Sequence, residues 1–288
     1  MRRIPPRVDA IALLFAALAS PLLAQRPQIV WSDRENPIRE QINNLRSLPD
    51  GERPIVTKRL AVQIRQLPAS PNRIMLAQSL ANLVTEGDPG PEALQEVAAT
   101  LSQALSQAEH PPEEAFVILA QFVRYEHVPV TCCRLDDPRF AAAMASLEDD
   151  DRHRQSVDFT LTDLTGKRWT QRELRGSVVL FNFWATWCPP CRKEMPDLDT
   201  LYRQFGEKGL VILAISDEEA GKVKQFLAEH PVTYPILLDP GREVNDLFRV
   251  HGIPKSFVYD REGKLVAQAM DMRTMRQFLE MLAQAGLH

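Results

Sequence analysis

The chain has 288 residues and a formal net charge of −4 at neutral pH. That mild acidity, with no basic stripe, excludes a nucleic-acid surface, and no nucleic-acid partner is expected. A hydrophobic share of 44% is that of an ordinary globular protein, and the length suits two domains.

The opening Met-Arg-Arg-Ile-Pro-Pro-Arg is positively charged, and Ile11–Ala19 is an apolar run followed by Ser-Pro-Leu-Leu-Ala24. The run is too short for an ordinary membrane span. Its layout is that of a signal peptide over residues 1–24, with cleavage after Ala19 or Ala24. An uncleaved anchor is the alternative, and it would tether the protein to a membrane. Either way the rest is exported, to the periplasm or another extracytoplasmic space. Loss of Arg2, Arg3, Arg7 and Asp9 would leave the mature chain more acidic still.

Residues 33–147 read as a helical domain. Asn36–Ser47, Gly51–Leu67, Pro71–Glu86, Pro91–Ala108 and Pro112–Tyr125 each carry apolar residues three or four apart. Prolines open several of them, and Glu-Gly-Asp-Pro-Gly-Pro after Thr85 is a sharp break. Helix pairs recur, as in a helical-hairpin array, but without a shared residue signature. A plain helical domain packing on itself is the other reading. Cys132 and Cys133 are adjacent, and a strained vicinal disulfide, an intermolecular pair, free thiols, a second redox site or a soft-metal site all remain open. Residues 148–155, Glu-Asp-Asp-Asp-Arg-His-Arg-Gln, read as a solvated linker with His153 on the surface.

Residues 156–288 read as a second, α/β domain. Val157–Leu161 and Arg168–Thr170 make a hairpin, Gln171–Leu174 is a helical turn, and Val178–Phe183 is a strand buried on both faces. A helix follows to Phe205, then a strand over Leu210–Ser216 and a helix over Ala220–His230. Ile236–Leu238 is a short strand, Arg242–Phe248 a helical turn, Ser256–Tyr259 and Lys264–Ala269 a hairpin, and Arg273–Ala285 the closing helix. The order predicts a mixed sheet with helices on both faces.

Between the buried strand and its helix stands Phe181-Asn-Phe-Trp-Ala-Thr-Trp-Cys-Pro-Pro-Cys-Arg-Lys-Glu-Met-Pro196. Pro189 and Pro190 suit a first helical turn, which places Cys188 at the helix N-terminus and Cys191 a turn further in. Unbonded N–H groups and the helix dipole favour a thiolate at Cys188, the nucleophile of disulfide exchange. Cys191 is placed to attack the mixed disulfide. Half a zinc site or a purely structural disulfide are the alternatives, but Cys132 and Cys133 lack the spacing to complete four ligands. Pro196 would kink the helix, and Trp184 reads as core.

This stretch resembles the thioredoxin superfamily, in particular its TlpA/ResA branch of membrane-facing bacterial thiol-disulfide oxidoreductases. The resemblance covers roughly residues 155 to 288. It implies a thioredoxin-like fold, a redox-active Cys188–Cys191 pair, and no cofactor or metal. It further implies protein disulfide substrates, as in cytochrome c maturation or copper-site assembly, and a membrane thiol carrier as electron donor. In the family the proline matching Pro254 is cis and lies beside the cysteines. The residue before it, here Ile253, offers backbone hydrogen bonds to an extended substrate. Trp187 and Pro189 complete the expected substrate-binding set. Glu194, three residues after Cys191, matches a glutamate implicated in proton transfer, whereas thioredoxin keeps a buried aspartate where this chain has Asn182. An adaptor whose helical half recruits partners is a competing reading. A thiol peroxidase is another, but the Pro-x-x-x-Thr-x-x-Cys arrangement it usually needs is missing before Cys188.

Overall fold

The computed structural model describes residues 29–130 and 136–288; the expected signal segment and the Cys132–Cys133 pair lie outside the described residues. Trp31–His288 form one compact unit. Its first half is helical: α1 (Asn36–Asn43), α2 (Arg53–Arg65), α3 (Pro71–Val84), α4 (Gly90–Ser106), α5 (Glu113–Tyr125) and α6 (Pro138–Gln155). Proline stands in the first turn of α1, α2, α3, α4 and α6, where its missing N–H costs no hydrogen bond. Ser70 caps α3 by accepting from the Arg73 N–H at 3.1 Å, and Asp137 caps α6 by accepting from the Arg139 N–H at 2.9 Å. From α1 to α5 each helix packs on the next and on the one after it, around a core that includes Leu60, Ile64, Leu80, Leu101 and Phe116.

The expected linker at 148–155 is instead the last two turns of α6. Its charges find ion-pair partners, although Glu148, Asp149 and Arg152 also stay exposed. Arg154 pairs with Asp150 and Asp151 within the helix, Arg124 of α5 pairs with Asp151, and Arg249 pairs with Asp149 and Asp150. Arg154 is 4% exposed and donates to the Phe248 carbonyl at 2.8 Å, while its own carbonyl accepts from the Tyr259 hydroxyl at 3.0 Å. His153, expected at the surface, contacts the Leu247 carbonyl.

The second half holds β1 (Thr160–Thr162), β2 (Arg168–Thr170), β3 (Val178–Phe183), α7 (Pro189–Phe205), β4 (Leu210–Ser216), α8 (Ala220–Glu229), β5 (Ile236–Leu238), α9 (Glu243–Leu247), β6 (Lys255–Tyr259), β7 (Leu265–Gln268) and α10 (Met275–Gln284). The main sheet has the order β5-β4-β3-β6-β7, with β3, β4 and β5 parallel, β6 antiparallel to β3, and β7 antiparallel to β6. The first hairpin differs from expectation. It is a separate two-stranded sheet, and Val157 and Phe159 precede it as core residues rather than strand.

Strand alternation on β3 decides what faces what. Val178 and Leu180 face α7, α8 and α10, whereas Val179, Phe181 and Phe183 face α9 and the first hairpin. Asn182 shares the parity of Leu180 and therefore points toward α7.

The two halves are locked together beside that face. Arg273 and Glu126 form an ion pair with both side chains under 10% exposed. The Gly87 N–H donates to the Met272 carbonyl at 3.1 Å, with Gly87 at φ +109°, a conformation only glycine adopts without strain.

Candidate active site

β3 ends at Phe183, and a four-residue loop leads to Cys188, the N-cap of α7. The buried carboxylate of Glu218, just past β4, accepts from the Thr186 N–H at 2.5 Å and its hydroxyl at 3.0 Å, which pins that loop. Burial works against ionisation of Glu218, but the Lys222 ammonium and the Thr186 bonds outweigh it and hold its pKa below the usual carboxylate range. The sequence reading missed Glu218, since a glutamate after a strand carries no signal of its own.

Cys188 and Cys191 are joined in a disulfide, and the Cys191 N–H points at the Cys188 sulfur at 3.2 Å. Cys188 is 2% exposed and Cys191 is fully buried. Trp187 is 64% exposed beside them, so it covers no core and is free to meet another molecule. Pro189 is exposed on the first turn of α7, and Pro196 lies inside that helix without ending it. Trp184 is buried against Phe226. The Ile253–Pro254 bond is cis, Pro254 is buried, and Ile253 packs on the apolar cluster that holds both cysteines.

Glu194 is 1% exposed, on the buried face of α7 it shares with Cys191. The Asn182 side-chain amide donates to it at 2.7 Å and to the Ser256 hydroxyl at 3.1 Å. The backbone N–H of Arg273 donates to its other oxygen at 3.1 Å. Burial pushes its pKa up to about 8, against these bonds, and the charge of Asp271 adds to the rise. A carboxyl that titrates near neutral pH can both take and return a proton. Arg273 lies far from the motif in sequence, and nothing there marks it.

Two more groups near the site have displaced pKa values. Burial lowers the Lys255 ammonium to about 7, helped by the charges of Arg154 and Arg273. Burial, with the nearby Glu86 charge, raises Asp271 to about 7.

Residues 153–268 match the AhpC/TSA family. The thiol-disulfide oxidoreductase ResA of Bacillus thuringiensis (strain Al Hakam) is 38% identical over 125 residues, covering 43% of this chain and 72% of that protein. ResA of Bacillus subtilis (strain 168) is 34% identical over 146 residues, covering 50% of this chain and 82% of its own length. A solved thiol:disulfide interchange protein of the thioredoxin family from Chlorobium tepidum TLS aligns at 28% identity with a TM-score of 0.40, over 44% of this chain and 92% of that one. The chain is a thiol-disulfide oxidoreductase and belongs to the ResA-like branch of the thioredoxin superfamily.

Proposed function

We propose that the protein is exported and reduces disulfides of other exported proteins through Cys188 and Cys191. The observation that carries this reading is the placement of Glu194, buried on the Cys191 face of α7 and titrating near neutral pH. In the reduced protein the Cys188 thiolate, favoured by the start of α7, attacks one sulfur of the client disulfide. A Cys188–client S–S bond forms, the client S–S bond breaks, and the departing client thiolate takes a proton. Glu194 then accepts the Cys191 proton, and the Cys191 thiolate attacks the Cys188 sulfur. The second client thiolate leaves and is protonated in turn. Two electrons have passed to the client, and the protein is left with its own disulfide, the state seen here. A membrane thiol carrier would return it to the dithiol.

In this reading Trp187 and Pro189 meet the client beside Cys188, and the backbone at Ile253 and Pro254 holds the client segment extended. The reduction potential of the Cys188–Cys191 pair tests the direction. A reductant should fall near thioredoxin, at about −270 mV, whereas a value near about −120 mV would make the protein an oxidant. Export is tested by the N-terminus of the mature protein, expected at Ser20 or Gln25 outside the cytoplasm. Protein retained in the cytosol with Met1 intact would sink that part.

A further inference from the structure

A groove of about 340 Å³ runs between the helical half and the loop that carries Pro254. On one side stand His251 to Lys255. On the other, Val117, Gln121 and Tyr125 line it from α5, four residues apart and so in one stripe along the helix. Leu147 and Asp150 of α6 extend that wall, and Met270 and Asp271 also line the groove. Val117 is 36% exposed on that stripe.

The charges in the groove are unevenly satisfied. Arg154 and Arg249 are tied to the aspartates of α6. The Lys255 ammonium, next to Pro254, makes no hydrogen bond or ion pair among the described residues. Its ammonium lies over the rings of Tyr125, at 5.6 Å, and Phe257, at 5.5 Å. Asp271 accepts the Met272 N–H at 2.8 Å and attracts Lys255 only at longer range. Burial raises the Asp271 carboxyl to about 7 and lowers the Lys255 ammonium to about 7, so each carries part of its charge at neutral pH. Lys255 is half-buried, and desolvation together with the charges of Arg154 and Arg273 lowers its pKa.

We infer that α5 and α6 form the second wall of the client groove, and that Lys255 selects clients with an acidic side chain beside the reactive cysteine. The inference rests on the proposed reductase reading. An extended client segment held at Ile253 and Pro254 would run on beneath the α5 stripe. A carboxylate there would give Lys255 the partner it lacks and would be poorly matched by a lysine. The helical half then has a physical task at the reaction site, as a specificity wall.

The test uses the full-length reduced protein and three disulfide peptides identical except for Glu, Gln or Lys beside the cysteine. A small aromatic disulfide is run alongside. The Glu peptide should exceed the Lys peptide in kcat/KM by about five-fold, the size expected of one half-buried charge pair. Lys255→Gln should remove that preference. Val117→Glu should reverse it and Val117→Lys enlarge it, because α5 faces the bound peptide; Val117 is partly exposed, so both variants should fold. Equal rates for the three peptides, or a preference indifferent to Val117, overturns the inference while leaving the reductase reading intact. If neither the peptides nor the small disulfide is reduced, the reductase reading itself fails, and the inference falls with it.

Discussion

The side-chain amide of Asn182 donates to the Glu194 carboxylate at 2.7 Å, joining the central strand to the cysteine helix inside the core. Where the resemblance to thioredoxin would place a buried acid on β3, this chain has Asn182, and the buried acid beside it is Glu194 on α7. In the proposed mechanism Glu194 serves as a base only when ionised, so resolution by the wild type should quicken as pH rises through about 8. Glu194→Gln should slow that step by about 10²–10⁴-fold and flatten its pH profile. Asn182→Asp added to Glu194→Gln should restore part of the rate. Stopped-flow exchange from pH 5 to 9 checks this, and a variant matching wild type throughout would remove Glu194 from the mechanism.

The same carboxyl sets a stability trend. Its pKa is raised by burial from 4.5 to about 8, so between those values the folded protein holds a proton that the unfolded chain has released. Stability contributed by Glu194 is therefore fully present below about pH 4.5 and declines as pH rises through 8. Urea unfolding of the oxidised protein at pH 5 and pH 8.5 should show Glu194→Gln gaining on wild type at the higher pH. Asp271, displaced in the same direction, keeps a residual slope in both proteins.

Cys188 accepts the Cys191 N–H at the start of α7, whereas Cys191 is sealed beneath it. In reduced protein near neutral pH, Cys188 should alkylate faster than Cys191, and Cys191→Ser should accumulate mixed disulfides with clients. Mass mapping of the first alkylated residue decides the matter. Preferential modification of Cys191 would exchange the two roles.

Arg273 joins the halves through its guanidinium, paired with Glu126, and within its own half its backbone N–H holds Glu194. Glu126→Ala strands a buried cation and should destabilise the protein by about 3–5 kcal/mol. It should also move the pH midpoint of exchange, since it frees the loop that donates to Glu194. Chemical denaturation and the exchange profile measure the two effects, and a loss of stability with an unmoved midpoint would reduce the pair to a structural clamp.

Gly87 approaches the loop before α10 at φ +109°, and a Cβ there would lie 3.2 Å from the Met272 side-chain terminus. Gly87→Ala should cost about 1–2 kcal/mol, mainly from the left-handed backbone. Thermal unfolding reads this directly; an unchanged midpoint would mean that the positive φ at residue 87 does not require glycine.

The sequence by itself determined what is written locally. Apolar periodicity and first-turn prolines mark five of the six helices, and a buried strand running into Cys-Pro-Pro-Cys marks the redox site because strand, helix start and thiols are contiguous. Residues 148–155 show where that reading stops. Charge density alone predicts a solvated linker, yet Arg154 is buried because distant partners, the Phe248 carbonyl 94 residues away and the Tyr259 hydroxyl 105 residues away, complete its hydrogen bonds. Glu194 shows the same limit. Its spacing from Cys191 was legible, but its burial and its pKa depend on Asn182, Arg273 and Asp271, which only the packing of β3, α7 and the loop before α10 brings together. Helical and strand periods are properties of neighbours in sequence, whereas desolvation and long-range hydrogen bonds are properties of neighbours in space. The wall that α5 builds opposite Pro254 belongs to the second kind.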